Sequence, residues 1–378
     1  MVVDLLNKSS ILSPYKPRRL AVGEVDYMEA VPLDYLKTVV FLSVNDGAKT
    51  KPCATGFLVN VLVEGTNDLR AHYVVTAKHC IDKARSFGKL YIRVNLKNGS
   101  FHEFPTNPDD WICPINSDVA LIPFHPQYPK GIRFTDLDCV FYNSTDFVGG
   151  APDYQYVYRD TSSSKTHRLI PRVGHGVYFL GLFTEHYGQG RNLPIARFGN
   201  ISRMPNDVTL EWSGINLSVI AYLVEFHSLG GHSGSPVFFL YPINIQNTSP
   251  LQTIDGKRID ILRSVDTGYV SAFMGIVSAH YPIRGNTETD YENLNGLQKD
   301  LNSGIAVVTP SCAVMELLMG EDMKEFRSKL RTKDKSQQAT PIMDIAESTN
   351  SFTKQDFEDA LKRVSRRIKP VEPGKEQS

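Results

Sequence analysis

Val74-Val75-Thr76-Ala77-Lys78-His79-Cys80 reads as an apolar, β-branched strand that ends in a small-residue turn and leaves a histidine at its tip. Branched and aromatic side chains favour extended backbone, so this run is a strand and not a helix. Upstream lie two runs of the same kind, residues 38–44, which stop at the turn sequence Asn45-Asp46-Gly47, and residues 56–63. Downstream lie residues 90–94 and 119–122. After an irregular middle the rhythm resumes at 177–180, 195–198, 221–224, 237–240, 273–277 and 305–308. The 27 glycines and 22 prolines fall between these short apolar runs, which favours many short strands over long helices. Two sets of strands without regular helices between them predict an all-β architecture of two packed barrels or one sandwich.

The ends read differently. Residues 1–33 carry Pro14, Pro17 and Pro32 with little periodicity and are expected to form an N-terminal arm on the surface of a main domain spanning 34–320. Inside that domain, residues 241–268 break the rhythm with Pro242, Asn247-Thr248-Ser249-Pro250 and Asp255-Gly256, which predicts a long surface insertion. A helix is expected over Ala313-Val314-Met315-Glu316-Leu317-Leu318-Met319, after Pro310-Ser311 and with Gly320 as its cap. Residues 321–378 read as a polar linker, centred on 333–338, and an amphipathic C-terminal helix. Phe352, Phe357, Leu361, Val364 and Ile368 make its apolar stripe, behind a Thr353-x-x-Asp356 start and before Pro370. Lys362, Arg363, Arg366, Arg367 and Lys369 form its solvated face, leaving the stripe for the main domain or a docking partner.

Of 378 residues, 22% are charged and 41% hydrophobic, and the formal net charge is zero, so no bulk field draws the chain toward nucleic acid or an anionic membrane. No run approaches the ~18–20 apolar residues of a membrane-spanning helix. The opening MVVDLLNKSSILSPYKPRRL lacks a signal-peptide pattern, which leads to the expectation of a cytoplasmic protein. Five cysteines, without a C-x-x-C, fit a reducing compartment and make a structural zinc site or other cofactor unexpected.

Three short stretches carry chemistry. Acyl transfer to a hydroxyl needs a nucleophile, a base within reach, a carboxylate to orient the base, and backbone N–H groups aimed at the developing oxyanion. His79 at its strand tip is a base. In Asn116-Ser117-Asp118-Val119-Ala120-Leu121-Ile122, Asp118 opens an apolar strand, where an ionised carboxylate needs strong partners. In Gly230-Gly231-His232-Ser233-Gly234-Ser235-Pro236-Val237, small residues around Ser233 allow a tight turn that presents its hydroxyl and lets the N–H groups of Gly231 and Ser233 converge.

In that order, T-A-K-H-C, S-D-V-A-L-I and G-H-S-G-S-P resemble the T-A-A-H-C, D-I-A-L and G-D-S-G-G-P blocks of the chymotrypsin/trypsin-like serine proteases. Cys53-Ala54-Thr55-Gly56-Phe57-Leu58 resembles the strand before the family's catalytic histidine, and Gly275-Ile276-Val277-Ser278 the strand beside the substrate backbone. Gly304-Ile305-Ala306-Val307-Val308-Thr309-Pro310 is similar to the closing strand of the bacterial high-temperature-requirement branch. The resemblance covers residues ~36 to ~320. It implies two six-stranded antiparallel β-barrels with a triad of His79, Asp118 and Ser233 between them, a C-terminal helix and a helical tail. The implied activity is a serine endopeptidase acting on proteins or peptides. The rival implications are a catalytically silent binding module on the same fold, and an esterase.

His232 stands where digestive members place the aspartate that pairs with a new amino terminus, so competence without amino-terminal processing is expected. Cys53 and Cys80 stand where extracellular members form a disulfide, and whether they pair is left open. By the family's spacing, His227 lies near the floor of the primary pocket, and Ser278 and His280 on its wall. No acidic floor residue supports a Lys or Arg preference. Two histidines favour an acidic side chain when protonated, whereas a wide polar pocket is the plainer reading.

Overall fold

The computed structural model describes residues 31–45, 47, 49–150, 154–159, 166–212, 215–226, 231–252, 258–283 and 301–338. Most of the N-terminal arm, His227 and the amphipathic segment 352–368 lie outside the described residues.

The chain enters through a one-turn helix, α1 (Leu33–Leu36), and then lays down β1 (Val39–Asn45), β2 (Thr50–Leu62), β3 (Arg70–Thr76), β4 (Leu90–Asn95), β5 (Phe101–Thr106) and β6 (Ala120–Pro123). These pair antiparallel in the order β5-β4-β1-β2-β3-β6, and a two-residue strand, β7 (Tyr142–Asn143), joins β2 in parallel. β1 and β2 read as continuous apolar runs because both faces are covered: from Val39 to Val44 every side chain is buried. Gly56 in β2 permits this closeness, since a Cβ there would stand 3.2 Å from Val75 O and 3.3 Å from Val40 Cγ2. A small hairpin, β8 (Tyr156–Arg159) with β9 (Thr166–Leu169), precedes the second barrel.

That barrel is closed: β10 (Gly176–Gly181), β11 (Ile195–Trp212), β12 (Ile215–Glu225), β15 (Leu301–Pro310), β14 (Arg258–Ile283) and β13 (Pro236–Gln252), each antiparallel to the next. Of the two six-stranded barrels expected, the second closes, whereas the first set of strands forms a seven-stranded sheet in which β5 and β6 stand at opposite ends of the path; it is called the first barrel below for its place in the chain.

Two elements differ from the sequence reading. The stretch 241–268 is not an irregular insertion, because β13 and β14 pair from Pro236↔Ile276 to Gln252↔Arg258 and form a long ribbon. Pro242 and Pro250 are tolerated there because β13 pairs with β10 only from Val237 to Phe239, so the far edge needs no donors. The stretch 333–338, read as linker, ends a helix, α4 (Glu321–Gln338), that follows α3 (Ser311–Leu318). Glu321 and Asp322 in the first turn complement the helix dipole, and Lys324–Glu321 and Lys329–Glu325 pairs run along its surface. Arg327 anchors it: fully buried, it donates through Nε to both Glu64 oxygens (2.9 and 3.1 Å) and through Nη1 to Leu318 O (2.5 Å) and Tyr73 Oη (3.3 Å). By its contacts the chain divides after Thr332, and the second unit, Lys333–Ser378, is described only over the last residues of α4.

Two kinds of contact hold the barrels together. One is aromatic: Tyr35 packs on Phe238 (5.1 Å), Tyr142 on Phe238 (5.4 Å) and Phe57 on Phe273 (4.9 Å). The other is polar, and explains the Arg191-Asn192-Leu193-Pro194 segment. Asn192 N–H donates to Asn95 Oδ1 (2.7 Å), Asn95 Nδ2 to Asn192 O (3.1 Å), and Asn192 Nδ2 to Arg93 O (2.7 Å). Arg93 Nη2 donates to Gly188 O (2.8 Å), tying the same loop to β4. Removing the Asn95 amide strips partners from a buried backbone N–H and C=O. Asn95→Ala is expected to cost about 1–3 kcal/mol in urea unfolding, and Asn95→Asp, which keeps the acceptor, less.

Candidate active site

β3 and β6 pair with Thr76 opposite Ala120, and this register brings the residues just beyond, His79 and Asp118, to the same end of the sheet. Ala77 turns the chain into α2 (Lys78–Ala84), whose first turn carries His79. The His79 backbone N–H donates to Asp118 Oδ1 at 2.9 Å, and its ring Nδ1 lies 3.0 Å from Oδ2 and 3.2 Å from Oδ1. Asp118 is 2% exposed and His79 7%. The two donors are what let a carboxylate sit at the mouth of an apolar strand. Burial works against the charged imidazole, whereas the Cys80 sulfur and the Asp118 carboxylate work for it, and the balance raises His79 above its usual range. With Nδ1 held by Asp118, Nε2 faces away from it, 3.5 Å from Cys80 Sγ.

The Ser233 turn docks against this end through Thr55 of β2. Thr55 Oγ1 donates to Gly231 O (2.8 Å) and accepts from Leu182 N (2.9 Å), and Thr55 N donates to Ser233 O (3.0 Å). Thr76 Oγ1 completes the set by donating to Thr55 O (2.7 Å). From the second barrel, Gly234 N donates to Val277 O (2.8 Å) and Val277 N to Ser235 O (3.0 Å). Gly231 and Gly234 have φ of +94° and +83°, conformations that glycine adopts without penalty. At Gly234 a Cβ would overlap Thr55 O and Thr76 Oγ1 and stand 3.0 Å from Ala77 N, so the backbone beside Ser233 touches the backbone leading into His79. The N–H groups of Gly231 and Ser233 donate to no acceptor among the described residues, which leaves both open to a developing oxyanion.

Other expected site residues separate. Ser278 is buried, and its hydroxyl is held by Thr309 Oγ1 at 2.6 Å, so its side chain ties β14 to β15 and does not face a pocket. His280 is exposed on β14. His227 lies outside the described residues. Cys53 and Cys80 are free thiols, Cys53 donating to Leu42 O at 3.4 Å. Thr55 and Thr76 are the residues that sequence reasoning passed over, although both fall inside stretches singled out for their neighbours.

No family model matches the chain, and no curated protein matches it in sequence. Among solved structures it is similar to the apo MamO protease domain from Magnetospirillum magneticum, at 14% identity and a TM-score of 0.42, over 76% of this chain and 99% of that one. The fold class of the described residues is all-β, a seven-stranded sheet followed by a six-stranded closed barrel, with helices at the C-terminal side.

His232 is fully buried with its ring 4.8 Å from that of Phe179. Burial, and then the nearby Arg197 cation, push it down to about 4, so it is neutral at pH 7. A histidine whose folded value is lowered contributes stability that is whole above its unfolded value, about 6.5, and is lost as pH falls toward the folded one. Unfolding free energies from urea titrations of the wild type are therefore expected to fall more steeply between pH 7 and pH 4 than those of His232→Gln, by on the order of 2 kcal/mol.

Proposed function

We propose that this chain is a serine endopeptidase that hydrolyses peptide bonds of proteins or peptides through His79, Asp118 and Ser233. The observation that carries the reading is the buried imidazole–carboxylate pair, bound through both ring and backbone, next to a serine turn with two undirected N–H groups. In this reading Ser233 Oγ attacks the scissile carbonyl, and His79 Nε2 takes the hydroxyl proton and returns it to the leaving amine. Asp118 keeps the second proton on Nδ1 and stabilises the imidazolium that forms. Gly231 and Ser233 N–H groups receive the tetrahedral oxyanion.

Competence without amino-terminal processing is supported by the Thr55 bonds. They hold the turn from inside the fold, where an activating amino terminus has no acid to meet at His232. A silent binding module is the second reading, favoured by the Cys80 thiol lying 3.5 Å from His79 Nε2, the nitrogen that the serine reaction needs.

A serine-directed fluorophosphonate separates the two: label on Ser233 supports the enzyme, and its absence on folded protein supports the binding module. Ser233→Ala is expected to lower peptide hydrolysis by ~10⁴-fold or more. Thr55→Val keeps shape but releases Gly231 O and Leu182 N–H, and should lower kcat by ~10²-fold with KM little changed. Because the base must be neutral and its folded value is raised, kcat/KM is expected to keep rising with pH beyond the ordinary imidazole range near 6.5.

A further inference from the structure

Among the described residues, no hydrogen bond or ion pair reaches the guanidinium of Arg197, on the inner wall of the second barrel. In β11, Ile201 faces the core while Phe198 is 55% exposed, so alternation turns Arg197 inward. The ladder agrees: Arg197 stands opposite Phe179 of β10, whose ring packs on Phe226 at 4.7 Å and on His232 at 4.8 Å. Arg197 therefore sits one aromatic ring away from the residue that precedes Ser233.

Its Nε is sealed from solvent and bonded to nothing, and no carboxylate pairs with its guanidinium among the described residues. Its terminal nitrogens are not among the sealed, unbonded atoms, so they reach solvent at that end of the barrel. A half-buried guanidinium with an orphaned N–H is costly, and folds usually answer it with an acid of their own. Arg327 shows how this chain does so elsewhere, with Glu64, and Arg93, whose Nε is also sealed and unbonded, is answered at Nη2 by Gly188 O. At Arg197 the answering group is missing, and a planar fork of donors fits a carboxylate better than any other common group.

We propose that Arg197 is the specificity residue of this site and receives the carboxylate of an acidic side chain, so that the chain cleaves after glutamate or aspartate. This rests on the endopeptidase reading. Its chemistry differs from the histidine-based preference raised by the sequence, because a guanidinium stays charged at all working pH values and needs no protonation to act.

The test uses the full chain and pairs of peptides that differ only in Glu or Gln before the cleaved bond. Wild type is expected to favour Glu by at least about tenfold in kcat/KM. In Arg197→Gln the Glu/Gln ratio should fall to within about twofold of unity. Arg197→Lys, which keeps the charge but not the fork, should retain part of it. The ratio does not depend on how much of a variant folds, so partial misfolding does not imitate the effect. Fluorophosphonate labelling of the wild type runs alongside. Labelled, active protein without an acid preference, or with one that Arg197→Gln leaves standing, overturns the role of Arg197 alone. Protein that neither labels nor cleaves overturns the endopeptidase reading and this one with it.

Discussion

A single threonine organises the site. Thr55 has no exposure to water, and its hydroxyl, N–H and C=O all serve to join pieces that are far apart in sequence. The hydroxyl spans Gly231 and Leu182 of the second barrel, the N–H reaches the Ser233 carbonyl, and the C=O takes the Thr76 hydroxyl from the strand leading to His79. A hydroxyl offers one proton and two lone pairs, so one side chain both donates and accepts here. In a dry interior an unmade bond of this kind costs about 1–3 kcal/mol, which makes the four contacts a unit more than a sum.

This junction has meaning only if the barrels keep their mutual placement. The aromatic seam of Tyr35, Phe57, Tyr142, Phe238 and Phe273 supplies non-directional burial, and the Asn95–Asn192 exchange supplies direction. Apolar contact tolerates sliding, while paired amide bonds do not, so the polar pair sets register along the seam. The Gly188–Pro194 loop, which belongs to the second barrel by sequence, spends its polar groups on the first.

Much of this was visible in the chain itself. Strands β1, β3, β4 and β10 are nearly continuous apolar runs, and such runs announce themselves. β5 does not, since His102, Glu103 and Pro105 dilute Phe101 and Phe104 on a strand with only partial cover. The β13–β14 ribbon was hidden because Pro242 and Asn247-Thr248-Ser249-Pro250 are turn-favouring residues set on a paired, extended backbone. The pairing of His79 with Asp118 was legible because a buried carboxylate at the start of an apolar strand needs strong donors. Thr55 was not, because its role comes from bonds to residues 127 and 176 places away, which no local pattern encodes. The hydroxyl of Ser278, expected on a pocket wall, is buried against Thr309, a partner 31 places away that local sequence does not encode.

The Arg327 anchor places a physical limit on where the folded body ends. Its guanidinium is the hydrogen-bonding cap of α3 through Leu318 O and, through Glu64 and Tyr73, the seal over one end of the first barrel. Cutting the chain at Gly320, where the last strand and α3 are complete, would uncover Tyr73 and Phe326's packing surface and leave the α3 terminus without its donor. The smallest autonomous body is thus set by a charged side chain borrowed from the following helix, not by the end of the β architecture.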